Sequence, residues 1–264
     1  MYNSIWKEDE YMTKRRLKKK YRISLLLIFT FICLFGLIYS LINIINWKKD
    51  VDDNKKIIED IKENIIIEPK EEEKEVKYNI DFKSLKEQNS DTIAYVKVNG
   101  TNIDYVVVKG NDNSYYLKHN FNKEYNVAGW IFSDYHNKFD ETDKNIVIFG
   151  HNTKDGSMFG TLKNVLDKSW QENKENLEII LVTEKGQYKY QVFSTYQITP
   201  EDYYINTIFN NDDEFTKFIN KIKSRSNYDY GVELDSSDKV LTLSSCIGDG
   251  KKRVVLHAKL IENE

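Results

Sequence analysis

Residues 23–46, ISLLLIFTFICLFGLIYSLINIIN, contain no charged side chain. A helix of that length crosses the ~30 Å hydrocarbon core of a bilayer. Amphipathic helices of globular bodies keep a polar face, and this run has none. The pattern then reverses: residues 47–78 are rich in Lys, Glu, Asp and Asn and include the run EPKEEEKE. They predict a charged stalk, within which Ile57, Ile61 and Ile65 recur every four residues as one amphipathic helical stripe. From Asn79 onward the apolar positions come in short runs. Asp81 caps a predicted helix, DFKSLKEQN, with Phe82, Leu85 and Lys86 at its inner edge. TIAYVKV and TNIDYVVV flank Asn99-Gly100, a hairpin signal. Further predicted strands are 127–134, 145–150, 177–183, 187–198, 239–246 and 253–261, with a turn at Glu184-Lys185-Gly186. Helices are predicted over 157–166 and 212–225, the second with Phe215, Phe218, Ile219 and Ile222 on one face. Many short strands and few helices predict a closed or nearly closed β-barrel.

The charges orient the span. KRRLKKKYR, residues 14–22, precedes it with seven basic side chains, and the far side mixes both signs. Lys and Arg stay on the cytoplasmic side of a first span. The expected organisation is a cytoplasmic N-terminus over 1–22, an anchor over 23–46, a stalk over 47–78 and an extracytoplasmic domain over 79–264. The apolar run is too long for a usual signal-peptide core, and no small-x-small cleavage site follows it. The formal net charge of −3 speaks against nucleic acid as a partner.

Of the two cysteines, Cys33 lies inside the span. Cys246 is the only thiol beyond it, and an unpaired cysteine in an exported domain points to intermolecular pairing or a reactive thiol. It ends the strand-like run KVLTLSSC, is followed by the loop IGDGKK, and Arg253 begins the next strand. A guanidinium across such a hairpin stabilises a thiolate or a developing oxyanion. His151 follows the strand NIVIFG, and imidazole, with its ordinary pKa of about 6.5, suits proton transfer near neutrality. His119 and His136 fall in polar, solvated segments, and His257 shares strand parity with Arg253 as a packing or surface residue. No CxxC or HExxH spacing occurs, so no metal is expected, and no phosphate loop or other cofactor motif is present.

TLSSC with Arg seven residues on, NIVIFGHNTKDGSMFGTL, DFKSLKEQNSDTIAYVKVNGTNIDY and NDNSYYLKHNF together resemble the sortases, specifically class B. The resemblance covers roughly residues 79–262. Ser245 stands where sortases most often carry Thr, and Val106 where Pro is common. The resemblance implies a sortase β-barrel of about eight strands with peripheral helices, and a cysteine transpeptidase needing no cofactor. It implies that Cys246 attacks the Thr carbonyl of a C-terminal sorting signal on a secreted protein. Arg253 would stabilise the oxyanion, and His151 would move the proton. The acceptor would be an amine of a peptidoglycan precursor. Asn113, Leu117, Ser244, Tyr204 and Ile205 match positions lining the signal groove. Two other readings remain open: a cysteine peptidase using water as acceptor, and a non-catalytic surface-binding module.

Overall fold

The computed structural model describes residues 2–63, 65–69, 76–247 and 251–263. The side chains of Cys246 and Ile247, and Gly248 to Gly250 of the expected IGDGKK loop, lie outside the described residues. The chain divides into two compact units, residues 1–49 and 50–264. In chain order the elements are α1 (Tyr2–Lys62), β1 (Ile65–Pro69), β2 (Val76–Ile80), α2 (Phe82–Gln88), β3 (Thr92–Val98), β4 (Asp104–Val108), β5 (Phe132–Ser133), β6 (Asn145–Gly150), α3 (Lys168–Gln171), β7 (Glu178–Thr183), β8 (Gly186–Ile198), α4 (Asp212–Ser224), β9 (Val240–Ile247) and β10 (Lys252–Asn263).

The first unit is helical. Its window of mean hydropathy 2.7 is entirely exposed, and it lies in the one helix among the described residues that is long and apolar enough to cross a membrane.

The second unit is built on a closed eight-strand barrel in the order β10-β8-β7-β3-β4-β5-β6-β9, as the strand spacing predicts. Two pairings in it are parallel, β4 with β5 and β6 with β9. β1 and β2 form a separate antiparallel pair. Alternation along β9 and β10 sends Leu241, Leu243, Val254 and Leu256 into the barrel, where each is fully buried. Burying such a side chain is worth about 1.5–3 kcal/mol. The opposite face carries a second apolar cluster. There Phe215, Phe218, Ile219 and Ile222 of α4 pack against Phe193, Tyr196 and Val255. α4 begins as its sequence suggests. The Asn211 side chain accepts from Glu214 N–H at 2.9 Å, and Glu214 returns to Asn210 N–H at 2.9 Å. Asp81 likewise caps α2 through Ser84 N–H at 3.0 Å.

Three expectations change. The strand expected over 127–134 shrinks to Phe132–Ser133. Gly129 takes φ +59°, and a Cβ there would lie 2.4 Å from the Tyr116 carbonyl, so this stretch is a turn pressed against a neighbouring backbone. The helix expected over 157–166 is confined to a 3-10 helix from Leu162 to Leu166, and Met158, at φ +51°, forms a bridge with Asn152 instead. Two stretches of the segment expected as a stalk belong to the second unit. Residues 50–62 are helical, with Val51, Asn54, Ile57 and Ile61 buried, and Val76–Ile80 pairs as a strand. Ile57 and Ile61 of the expected stripe therefore pack into the core from the helix, whereas Ile65 falls in β1, beyond the helix end at Lys62.

Ile61, 3% exposed in the main core, tests this directly. Ile61→Ala is expected to lower the unfolding free energy by about 2–4 kcal/mol. The reading is a lower denaturant midpoint of the full chain in detergent at unchanged slope. A loss below about 0.5 kcal/mol would return residues 50–62 to a solvated stalk.

Candidate active site

Strand register gathers the residues expected to carry the chemistry. β6 ends at Gly150, opposite Ser245 of its parallel neighbour β9. On the other side of β9, β10 sets Arg253 opposite Cys246. Adjacent strands stand about 4.8 Å apart. Backbone positions 151, 246 and 253 therefore meet at one end of the barrel. Gly150 leaves no room for a side chain, since a Cβ would come within 2.5 Å of Ile131 and 2.6 Å of Phe159. Thr242 and Ser244 stand on the outer face of β9, and the Cys246 side chain lies outside the described residues.

A cavity of about 250 Å³ opens on that face. His151 and Arg253 line it, together with Asn113, Leu117, Ser244, Tyr204 and Ile205, so every described candidate borders the same space. Phe132 and Phe149, with ring centres 5.3 Å apart, add an apolar wall. Pro200, Glu201 and Asp202 complete the lining, and sequence reasoning missed them. The available signal was a proline followed by two acids between a long strand and a helix. A second cavity, of about 110 Å³, is lined by Phe139, Tyr188, Tyr190 and Lys239 and holds none of the candidates. Among the described residues, no group of three or more His, Cys, Asp or Glu side chains comes together as a metal site.

Hydrogen bonds fix most of the lining. His151 Nε2 lies 2.7 Å from the Leu117 carbonyl. A carbonyl only accepts, so Nε2 carries the proton and Nδ1 is the ring nitrogen left for exchange. Asn113 Nδ2 donates to Asp134 at 2.7 Å, while its Oδ1 accepts from Tyr135 N–H at 3.1 Å. The Ser244 and Tyr204 hydroxyls meet at 3.1 Å, joining β9 to the turn after β8. Arg253 is half-buried, and its Nη1 donates to the Lys252 carbonyl at 3.3 Å.

His257 shares this outer face, and its surroundings differ from those of His151. It is fully buried. Asn145 Nδ2 donates to the Asn206 carbonyl at 2.9 Å, and Thr242 donates to Asn145 Oδ1 at 2.7 Å. The Thr242 oxygen then accepts from His257 Nδ1–H at 2.8 Å, and His257 Nε2 accepts from the Tyr196 hydroxyl at 2.9 Å. A neutral ring satisfies every member. Burial pushes the His257 pKa down to about 3.

The comparisons with known proteins agree with this geometry. A family model described as the sortase domain matches residues 96–261. The chain is 36% identical over 186 residues to Sortase B of Listeria monocytogenes, spanning 69% of this chain and 74% of that protein. This chain belongs to the sortase family, class B. Among solved structures, Clostridium perfringens sortase B superposes with a TM-score of 0.65 at 37% identity, covering 69% of this chain and 100% of that one. Sortase B from B. anthracis, in complex with AAEK1, gives a TM-score of 0.70 at 33% identity, covering 81% and 99% respectively. Membership makes the chain a cysteine transpeptidase of cell-wall sorting.

The buried imidazole sets a pH dependence. The His257 pKa is about 3 in the fold, against an ordinary value of 6.5 when unfolded. The unfolded chain takes up this proton first as pH falls. Stability is therefore complete above pH 6.5 and lost progressively toward pH 3. Denaturant midpoints between those limits should fall more steeply for the native chain than for His257→Gln. The difference is up to about 1.4 kcal/mol per pH unit. Equal slopes would show that His257 takes up its proton as readily in the fold as in the unfolded chain.

Proposed function

We propose that the chain is an anchored transpeptidase acting on C-terminal sorting signals of secreted proteins. Its basic residues 14–22 lie in the cytoplasm and residues 23–46 cross the membrane. The catalytic body lies outside. The charge asymmetry around the apolar run supports that orientation.

In this reading His151 Nδ1 takes the proton of the Cys246 thiol, and the thiolate attacks the carbonyl carbon of a Thr–X peptide bond. The electron pair moves onto the carbonyl oxygen, and the Arg253 guanidinium stabilises the oxyanion. The C–N bond then breaks. His151, with Nε2–H held by Leu117, delivers a proton from Nδ1 to the departing amine. A thioester remains on Cys246. An amino group of a peptidoglycan precursor attacks it, His151 accepts the amine's proton, and the C–S bond breaks to release a new amide and the thiolate. Asn113, Leu117, Ser244, Tyr204 and Ile205 line the groove that seats the signal. Phe132 and Phe149 suit its apolar residues.

The observation that carries this reading is the register of β6, β9 and β10, which brings backbone positions 151, 246 and 253 to one end of the barrel, where His151 and Arg253 border one cavity. It also favours acyl transfer over a binding-only surface. A binding surface has no use for a cysteine position flanked by a guanidinium and an imidazole.

A library of pentapeptide signals, offered with an amine acceptor, tests the proposal. Mass spectrometry should find an acyl adduct on Cys246 that the amine discharges into a peptide product. Cys246→Ala should form neither. Arg253→Lys should retain the adduct while lowering kcat on the order of 100-fold or more. Hydrolysis as the sole outcome at saturating amine would establish the peptidase reading instead.

A further inference from the structure

The Leu117 carbonyl that sets the His151 tautomer sits in a turn held from outside the barrel. Its neighbours on both sides are tied to residues 126–130. Trp130 N–H donates to the Tyr116 carbonyl at 3.0 Å, and Asn126 N–H donates to the Lys118 carbonyl at 2.9 Å. The carbonyl between them accepts from His151 at 2.7 Å. Fixing both flanking peptides leaves the planar unit between them little freedom to rotate. Contact between the two segments is backbone to backbone. A Cβ at Gly129 would lie 2.4 Å from the Tyr116 carbonyl and 2.9 Å from that of Leu117.

Residues 126–129 are held in turn by α1. Asn126 Nδ2 donates to the Asp50 carbonyl at 2.8 Å and to Asn54 Oδ1 at 3.1 Å. Asn126 Oδ1 accepts from Ala128 N–H at 2.9 Å and from Asn54 Nδ2 at 3.4 Å. Asn54 Nδ2 also reaches the Gly129 carbonyl at 3.2 Å, and the Asp50 carboxylate accepts Val127 N–H at 2.9 Å. Asn54 and Asn126 are 2% and 1% exposed. Two buried amides that face each other both ways satisfy their donors and acceptors in few arrangements, so the pair specifies position as well as adhesion. Apolar packing of Val51, Ile57 and Ile61 would hold α1 in place without any of this.

We propose that Asn54 is a positioning residue for His151, acting through Asn126 and the turn at 116–118. The inference rests on His151 being the proton carrier of the reading above. Asn54 touches neither substrate nor the reacting atoms. It holds the carbonyl that keeps the proton on Nε2 and Nδ1 free for transfer.

The test uses the full chain in detergent, with ring nitrogen-15 NMR of His151 and steady-state transpeptidation read side by side. Asn54→Ala should turn the single Nε2–H tautomer into a mixture. It should lower kcat on the order of tenfold, with a smaller change in KM. Ile61→Ala weakens the same helix without touching the amide pair. Assayed well below its unfolding transition, it should keep both the native ring spectrum and the native kcat. The proposal is overturned if Asn54→Ala keeps the native spectrum and kcat, or if Ile61→Ala reproduces both changes. Should Asn54→Ala fail to fold, Asn54→Asp, which keeps an acceptor and loses the donor, is read by the same criteria. If the native chain forms no acyl adduct, the transpeptidase reading fails on its own, and the ring spectra alone decide the role of Asn54.

Discussion

The structure depends above all on how β9 is paired. It is the strand between β6 and β10, parallel to one and antiparallel to the other. Every position on it is thereby referred to two neighbours at once. A slip of one residue would exchange its faces. Leu241 and Leu243 would leave the barrel core, and Thr242 and Ser244 would enter it. Moving two leucines to the surface would cost several kcal/mol, and burying two hydroxyls without partners would add to that. Core burial therefore fixes the register, and the register aligns positions 151, 246 and 253. The alignment of the site is a by-product of packing that lies mostly elsewhere on the strand.

The outer face of β9 and β10 is divided between cover and opening. Its lower part carries Val255 and His257, sealed by α4 and by the hydrogen-bonded chain from Asn206 to Tyr196. Its upper part carries Ser244 and Arg253 and borders the cavity. The Tyr204–Ser244 hydroxyl pair lies between the two regions, where the turn after β8 crosses the strands. A helix packed over the whole face would leave no groove, and an open face would expose Phe193 and Tyr196 to water. The turn at 203–205 ends the cover at the height where the candidate residues begin.

Much of this was legible in the sequence because it follows from local periodicity. The strands 145–150 and 187–198, the helix from Asp212 and the turns at Asn99-Gly100 and Glu184-Lys185 are each written in a pattern of two or 3.6, or in turn chemistry. The barrel follows from their number. Three features were hidden because their cause is non-local. The stretch 127–134 has strand composition, but Gly129 must meet the Tyr116 backbone, and no local pattern announces a partner that far along the chain. Residues 50–62 are charged on most positions, and their buried stripe of Val51, Asn54, Ile57 and Ile61 includes a polar residue that hydropathy counts as exposed. Glu201 and Asp202 line the cavity through the position of a turn, which no spacing rule supplies. The candidate residues at 113, 117, 204, 205 and 244 came from resemblance to a family. In composition they are ordinary rim residues.

His151, just past β6, and His257, on β10, show how one side chain type takes two roles on the two strands that flank β9. His257 uses both ring nitrogens within a closed hydrogen-bonded chain, and water does not reach it. Charging it would remove the acceptor that Tyr196 needs and would place a cation in an apolar layer, so its pKa falls to about 3. Such a ring cannot exchange protons near neutrality. His151 commits one nitrogen to a backbone carbonyl, which accepts a hydrogen bond from either the neutral or the charged ring. Its second nitrogen can therefore gain or lose a proton without breaking the bond that orients the ring. An orienting partner indifferent to charge is what a proton carrier needs, and a carbonyl supplies it where the Tyr196 hydroxyl, as donor to His257, does not.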